Sequence, residues 1–409
     1  MTQDPYVAVG ASLGGAKAAE ALRGAGFDGP VVLIGSELEL PYERPPLSKE
    51  YLLGKAPREK IFVHPREWYA DNEIDLRLGA TAASIDRAAH RLTLADGSTQ
   101  RYAKLLLTTG SSPRTLRVPG AELDGVVYLR TAGDSDRIRA AFESAARVAV
   151  IGAGWIGLET AAASRLAGAD VTVLEMAELP LLRVLGREAA SVFAALHREH
   201  GVDLRFGVQV EEITGSAGRA TGVRLADGAH VDADLVIVGV GITPNTELAA
   251  AAGLEVADGI VVSAGLRTGD PDIYAAGDVA NAFHPLLGKH IRVEHWANAL
   301  NQPQAAARSM LGHEVSYDRV PYFYTDQYDL GMEYAGYVEP GGYEQVVFRG
   351  DVRAREFIAF WTDQHGRVLA GMNVNVWDVN DAIQALVRSG KPTDPDALRD
   401  PAADLGALA

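Results

Sequence analysis

Gly152-Ala153-Gly154-Trp155-Ile156-Gly157 is the stretch whose residue types and spacing imply chemistry. Glycine holds its first, third and sixth places, and an acid, Glu175, follows 23 residues after the first glycine. Where a strand runs into a helix, glycines at this spacing have separate tasks. Gly152 permits the tight turn, Gly154 lets a diphosphate approach the backbone, and Gly157 lets helix and strand pack closely. The free N–H groups and the positive dipole end of the helix then face the phosphates. Glu175 can accept hydrogen bonds from an adenosine ribose diol and would repel a 2′-phosphate, which favours NADH over NADPH. The pattern carries this meaning only in a strand–helix–strand unit, and that unit is present. Val148, Ala149, Val150 and Ile151 read as a buried parallel strand, residues 158–167 as an alanine-rich helix, and residues 171–174 as the next strand.

A second copy stands near the start of the chain. Residues 6–9 read as a strand, Gly10-Ala11-Ser12-Leu13-Gly14-Gly15 as the turn, 16–22 as a helix and 31–34 as a strand. Gly10, Ser12, Leu13 and Gly15 are its nucleotide-binding candidates. Ser12 holds the second glycine place, and the ribose acid is assigned to Glu37, one residue beyond Ser36. The halves repeat further, since Leu92-Thr93-Leu94-Ala95-Asp96-Gly97 parallels Val223-Arg224-Leu225-Ala226-Asp227-Gly228. Each reads as a strand entering an Asp-Gly hairpin. The expected fold is α/β: two Rossmann-like dinucleotide-binding domains, one inserted in the other, plus a C-terminal α+β domain. The first domain takes 1–110 and 240–319, the second 111–239 and the third 320–409. The turn-rich return at residues 239–245 contains Gly241 and Ile242. Ala275-Ala276-Gly277-Asp278 reads as a strand end before a helix, with Asp278 aimed at a polyol or phosphate. The tail from Lys391 reads as a loosely packed end.

Composition narrows the function. The chain of 409 residues has a net charge of −16, which argues against nucleic acid and anionic membranes as partners. No apolar run is long enough to span a bilayer and the first residues lack a basic signal region, so a cytoplasmic protein is expected. Cysteine is absent, which excludes a redox disulfide, a thiolate nucleophile and cysteine-held clusters within this chain. The histidines show no metal-ligand spacing, and His197 and His200 read as a solvated helix face. Redox chemistry here must therefore be carried by a bound cofactor.

Over essentially its whole length the chain resembles the FAD-dependent, NADH-using ferredoxin reductases of bacterial oxygenase systems, which are similar in fold to glutathione reductase and apoptosis-inducing factor. Pro41-Tyr42-Glu43-Arg44-Pro45-Pro46-Leu47-Ser48-Lys49 carries most of the resemblance. Thr108-Thr109-Gly110, residues 152–159, residues 275–278, Glu294-His295-Trp296 and the aromatic stretch before Asp326 also match. The resemblance implies FAD at the first turn and NADH at the second. It places Arg44, Lys49 and Arg130 at the flavin end of FAD, with Thr109 and Gly110 nearby. Asp278 takes the ribityl and pyrophosphate region, and Glu294 and Trp296 border the ring. Glu159 would meet the nicotinamide and pair with Lys49, these two being the catalytic candidates. Trp155 and Ile156 belong to the NADH turn, and Arg183 would steady the adenine side. Tyr322 and Tyr324 stand where family members often carry tryptophan.

The implied reaction is hydride transfer from NADH to flavin, then single-electron release to a two-iron two-sulfur ferredoxin that serves an oxygenase. The enzyme is expected as a monomer or homodimer. An acidic ferredoxin needs a local basic docking patch, for which Arg292, Lys289 and Arg308 are candidates. Alternatives are an NADH oxidase, a quinone or rubredoxin reductase, and an NADH-responsive protein of the apoptosis-inducing-factor type.

Overall fold

A parallel strand covered on both faces reads as an unbroken apolar run, because neither face meets water. Val31–Gly35, buried throughout, obeys this rule. It lies in a five-stranded sheet ordered Ile273–Ala275, Lys104–Leu107, Tyr6–Val9, Val31–Gly35 and Ile74–Leu78. Every neighbouring pair is parallel, and Val7 lies beside Val32 on one side and Leu105 on the other. The computed structural model describes residues 4–409 in two units, and this sheet is the centre of the first. That unit is built from residues up to Glu43, Arg58–Ser112 and Thr243–Arg319. Helices Leu13–Gly24 and Trp296–Met310 pack together on it through small buried side chains, among them Ala16, Ala19, Ala306 and Ala307.

The second unit comprises Arg44–Pro57, Pro113–Ile242 and Val320–Ala409. Its parallel sheet runs Asp203–Phe206, Asp170–Glu175, Arg147–Ile151, Leu235–Val238 and Val126–Tyr128. The same unit holds an antiparallel sheet ordered Tyr322–Gln327, Leu330–Gly336, Val368–Val374, Glu356–Thr362 and Gln345–Asp351. One core joins the two sheets, with Phe323, Trp361 and Met372 in the same buried cluster as Val150, Phe193 and Leu196. Trp361 also donates its indole N–H to Leu185 O (3.0 Å), satisfying a polar atom inside that core.

Both predicted hairpins form, and they form alike. Gly97 and Gly228 adopt φ of 85° and 88°, a region that disfavours any side chain. The Asp96 and Asp227 carboxylates each accept a backbone N–H two residues on, at 2.9 Å.

Three local expectations are overturned. Asp278 precedes no helix; it lies in a single 3-10 turn, Gly277–Val279, that runs into strand Ala280–His284. The tail is packed rather than loose. Leu398 and Leu405 join the core under helix Asn380–Ser389, and Asp394 and Asp404 cap the short helices Pro395–Arg399 and Leu405–Leu408. His197 is not on a solvated face. It is 0 % exposed and faces Gln327, while His200 stacks on Tyr328 with ring centroids 3.7 Å apart. The apolar positions of helix Leu182–Glu199 line the face that carries His197, so a polar residue is carried inside with them.

Burial pushes His197 down to about 4 from an ordinary 6.5. The unfolded chain therefore takes up this proton at higher pH than the folded one. The stability that depends on keeping this ring neutral is fully present above about pH 6.5 and is lost as pH falls toward about 4. Urea denaturation between about pH 7 and 5 should show a loss approaching ~1.4 kcal/mol per pH unit from this group. His197→Gln should flatten the slope, and an unaltered slope would remove His197 as its source.

Candidate active site

In the first unit, strand Tyr6–Val9 ends at Gly10, whose φ is 120°. A Cβ there would lie 2.1 Å from Thr108 O, and one on Gly15 would lie 2.3 Å from Gly10 O. Both glycines are thus required by close backbone approaches, Gly10 by the end of the neighbouring strand and Gly15 by the turn itself. Ser12 is the N-cap of helix Leu13–Gly24, yet its side chain makes no capping hydrogen bond, so Leu13 and its neighbours start the helix with side-chain acceptors unassigned. Beside the turn opens a cleft of about 490 Å³ lined by Gly10, Gly35, Ser36, Thr109 and Asn245. Asn245 ties Thr109 and Gly110 in place. Its amide nitrogen donates to Thr109 O, its backbone N–H donates to Gly110 O, and Thr109 Oγ1 donates to its carbonyl. Ser36 lines this cleft, while the adjacent Glu37 carboxylate accepts from Tyr42 Oη. A cleft bordered by Gly10 and by the end of strand Val31–Gly35 fits the adenosine end of a dinucleotide, and the helix N–H groups that Ser12 leaves without a side-chain cap suit its diphosphate.

In the same unit, Gly277 donates its N–H to Gln302 Oε1 at 2.9 Å, which anchors the turn carrying the half-buried Asp278. Trp296 opens helix Trp296–Met310 after His295. Glu294 is bound by Arg292, which also holds Asp258. With a side chain only 11 % exposed, Arg292 is turned inward and presents no docking charge, contrary to expectation.

The second unit repeats the turn. Gly152 has φ of 99°, and Cβ atoms on Gly152 and Gly157 would lie 2.4 Å from Gly239 O and 2.0 Å from Gly152 O. Gly154 differs: it is the helix N-cap, and an added Cβ would meet nothing within 4 Å. The space above it is where a diphosphate fits. Glu175 accepts from Ala153 N (2.7 Å) and Ala177 N (2.8 Å), so the acid is fastened to the turn it serves. Ile156 is 43 % exposed on the same turn, whereas Trp155 packs its ring against Phe193 and Phe323. Leu181 donates its N–H to Ala153 O and leads into helix Leu182–Glu199, which carries the exposed Arg183. Gly241 and Ile242 are held by Arg114, which donates to both of their carbonyls.

Also within the second unit, the structure brings Lys49 and Glu159 together. Lys49 Nζ lies 2.8 Å from Glu159 Oε1, with side chains 11 % and 5 % exposed. A carboxylate so removed from water needs several partners, and it has them. Thr325 Oγ1 donates to Oε1 at 2.6 Å and Ser48 Oγ donates to Oε2. Lys49 Nζ stands 5.7 Å from the centroid of the Tyr324 ring. Tyr322, on the same strand, donates to Glu333, and burial together with this bond pushes its phenol pKa up. Arg44 donates to Arg130 O, joining two further predicted residues.

Ser48, Thr325 and Asn245 were not among the predicted site residues. Ser48 adjoins Lys49, and Thr325 adjoins Tyr324 on a strand, so sequence proximity was the available signal. Asn245 ends the turn-rich return at residues 239–245, but nothing there marks its partners Thr109 and Gly110, which are far away in sequence.

A profile of the family described as pyridine nucleotide-disulphide oxidoreductase matches residues 4–303, and one described as reductase C-terminal matches residues 322–409. The ferredoxin–NAD(+) reductase component of the anthranilate 1,2-dioxygenase system of Burkholderia cepacia is 43 % identical over 408 residues, covering 99 % of each chain. A ferredoxin reductase from Rhodopseudomonas palustris superposes with a TM-score of 0.95 at 38 % identity, covering all of both chains. The reductase in a covalent putidaredoxin reductase–putidaredoxin complex gives 0.95 at 36 % identity, over 100 % of this chain and 98 % of that one. With both profiles matched and full-length relatives of such identity, the chain is an oxidoreductase that belongs to the pyridine nucleotide-disulphide oxidoreductase family, in its ferredoxin-reductase branch.

Proposed function

We propose that this chain is the NADH-dependent reductase of an oxygenase system, delivering electrons through FAD to a two-iron two-sulfur ferredoxin in the cytoplasm, as a monomer or homodimer. The Lys49–Glu159 pair is the observation that carries the reading, because it places a fixed charge pair among residues the family resemblance assigns to the two rings. The family name refers to disulfide chemistry, but a chain with no cysteine cannot form the dithiol that such chemistry requires. Relatives named for ferredoxins support an external acceptor instead. FAD and NAD(H) serve the ferredoxin reductases of this family, and bound FAD supplies the conversion between a two-electron donor and a one-electron acceptor.

The protein's own residues bind, orient and tune. Gly10, Ser12, Leu13 and Gly15 would hold the FAD diphosphate, with Glu37 toward its ribose, and Thr109, Gly110, Asp278, Glu294 and Trp296 would continue the site. Gly152, Gly154, Trp155, Ile156 and Gly157 would hold NADH, with Glu175 and Arg183 on its adenosine side. Gly241 and Ile242 would border the nucleotide. Lys49 would stabilise negative charge on the reduced cofactor, Arg44 and Arg130 would sit at the flavin end, and Tyr324 would face the ring. Lys289 and the exposed Arg308 remain the docking candidates for an acidic partner.

Anaerobic NADH should bleach the flavin of the purified protein, and added ferredoxin should accelerate cytochrome c reduction. Bleaching without that acceleration would overturn the ferredoxin assignment. Glu175→Gln keeps an acceptor near the Ala153 amide while removing charge. It should raise kcat/KM for NADPH relative to NADH about tenfold, the scale of one lost charged interaction; unchanged discrimination would release Glu175 from this role. Lys49→Met should lower the flavin midpoint potential by about 30 mV or more, one tenfold step for a two-electron couple. Spectroelectrochemical titration measures this, and an unmoved potential would separate Lys49 from the cofactor.

A further inference from the structure

Glu159 is the end of a longer line of buried polar side chains, all within the second unit. Thr325 Oγ1, which donates to Glu159 Oε1, also accepts from Gln327 Nε2 at 3.2 Å. A hydroxyl has one proton, so the Thr325 proton is available to Glu159 only while Gln327 presents its nitrogen rather than its oxygen. What orients that amide is His197, whose Nε2 lies 2.8 Å from Gln327 Oε1. Two acceptors cannot share that contact, so the neutral ring must carry its proton on Nε2. Its Nδ1 then accepts from Tyr328 Oη at 3.4 Å, and the Tyr328 ring lies against His200. Every donor in the line points toward the Glu159 carboxylate, and such chains reinforce one another away from water. Thr325, Gln327 and His197 are 1 %, 2 % and 0 % exposed, so solvent does not supply the alternative partners. Reversing the line would give the Thr325 proton to Gln327 and strip Glu159 of a donor.

We propose that His197 is a positioning residue for the charge pair: its Nε2–H locks the Gln327 amide and, through the Thr325 hydroxyl, holds the Glu159 carboxylate against Lys49. The inference rests on the proposed role of that pair toward the bound cofactors. It assigns a part in flavin reduction by NADH to a histidine on helix Leu182–Glu199 that reaches the pair only through Gln327 and Thr325.

Two measurements on the flavin-loaded protein test it. The first is the nitrogen-15 spectrum of the His197 ring in the unmutated chain, expected to show a neutral Nε2–H tautomer; an Nδ1–H tautomer overturns the relay. The second is anaerobic flavin reduction by NADH. His197→Leu should slow the limiting rate about tenfold while NADH affinity changes by no more than about twofold. His197→Gln, which keeps a donor, should restore most of the rate, and His197→Leu should add nothing in a Thr325→Val background. Independent effects in that double variant, or a loss of affinity at unchanged limiting rate, reject the proposal. Should His197→Leu fail to fold, the tautomer decides alone. Neither measurement uses ferredoxin, so failure of the acceptor assignment leaves this result standing, and the reverse also holds.

Discussion

A carboxylate that is only 5 % exposed has lost most of its water and needs protein donors in its place. Glu159 instead finds its partners in Lys49, Ser48 and Thr325, which reach it from two separate segments of the chain. The segment carrying Ser48 and Lys49 leaves the first unit at Glu43 and returns to it at Arg58, having contributed its residues to the second. The strand carrying Thr325 comes from the far end of the chain. Satisfying one buried acid therefore gathers three distant pieces of sequence.

Much of the architecture was legible because it obeys local rules. Glycines with positive φ at Gly10 and Gly152 each end a strand and each would clash with a crossing carbonyl if substituted, so both copies of the turn stand out in the sequence. The Asp-Gly hairpins at Gly97 and Gly228 are equally local, with the same turn geometry built by the same two residue types. Buried parallel strands declare themselves by unbroken apolar runs, as Val31–Gly35 and Leu235–Val238 do.

The rest depended on what lies across space from each residue. A His197 on an alanine-rich helix looks solvated until the antiparallel sheet of the last domain covers it and Gln327 answers its nitrogen. Asp278 precedes a strand because Ala280–His284 finds partners in Ile260–Val262 and Lys289–Arg292, and no propensity near Asp278 announces those neighbours. The proline- and aspartate-rich tail looks mobile by composition, yet two leucines spaced seven residues apart plug the core beside Ile383 and Leu386. Arg292 looked like a surface charge because nothing adjacent marks Asp258 as its partner.

The two family profiles meet between residues 303 and 322, a boundary that suggests interchangeable cassettes. Physically, the interior does not part there. Trp361 hydrogen-bonds the backbone of helix Leu182–Glu199, and Phe323 and Met372 share a core with Phe193 and Leu196. A chimaera that grafts the last domain of one relative onto another must carry matching residues on both sides of that core.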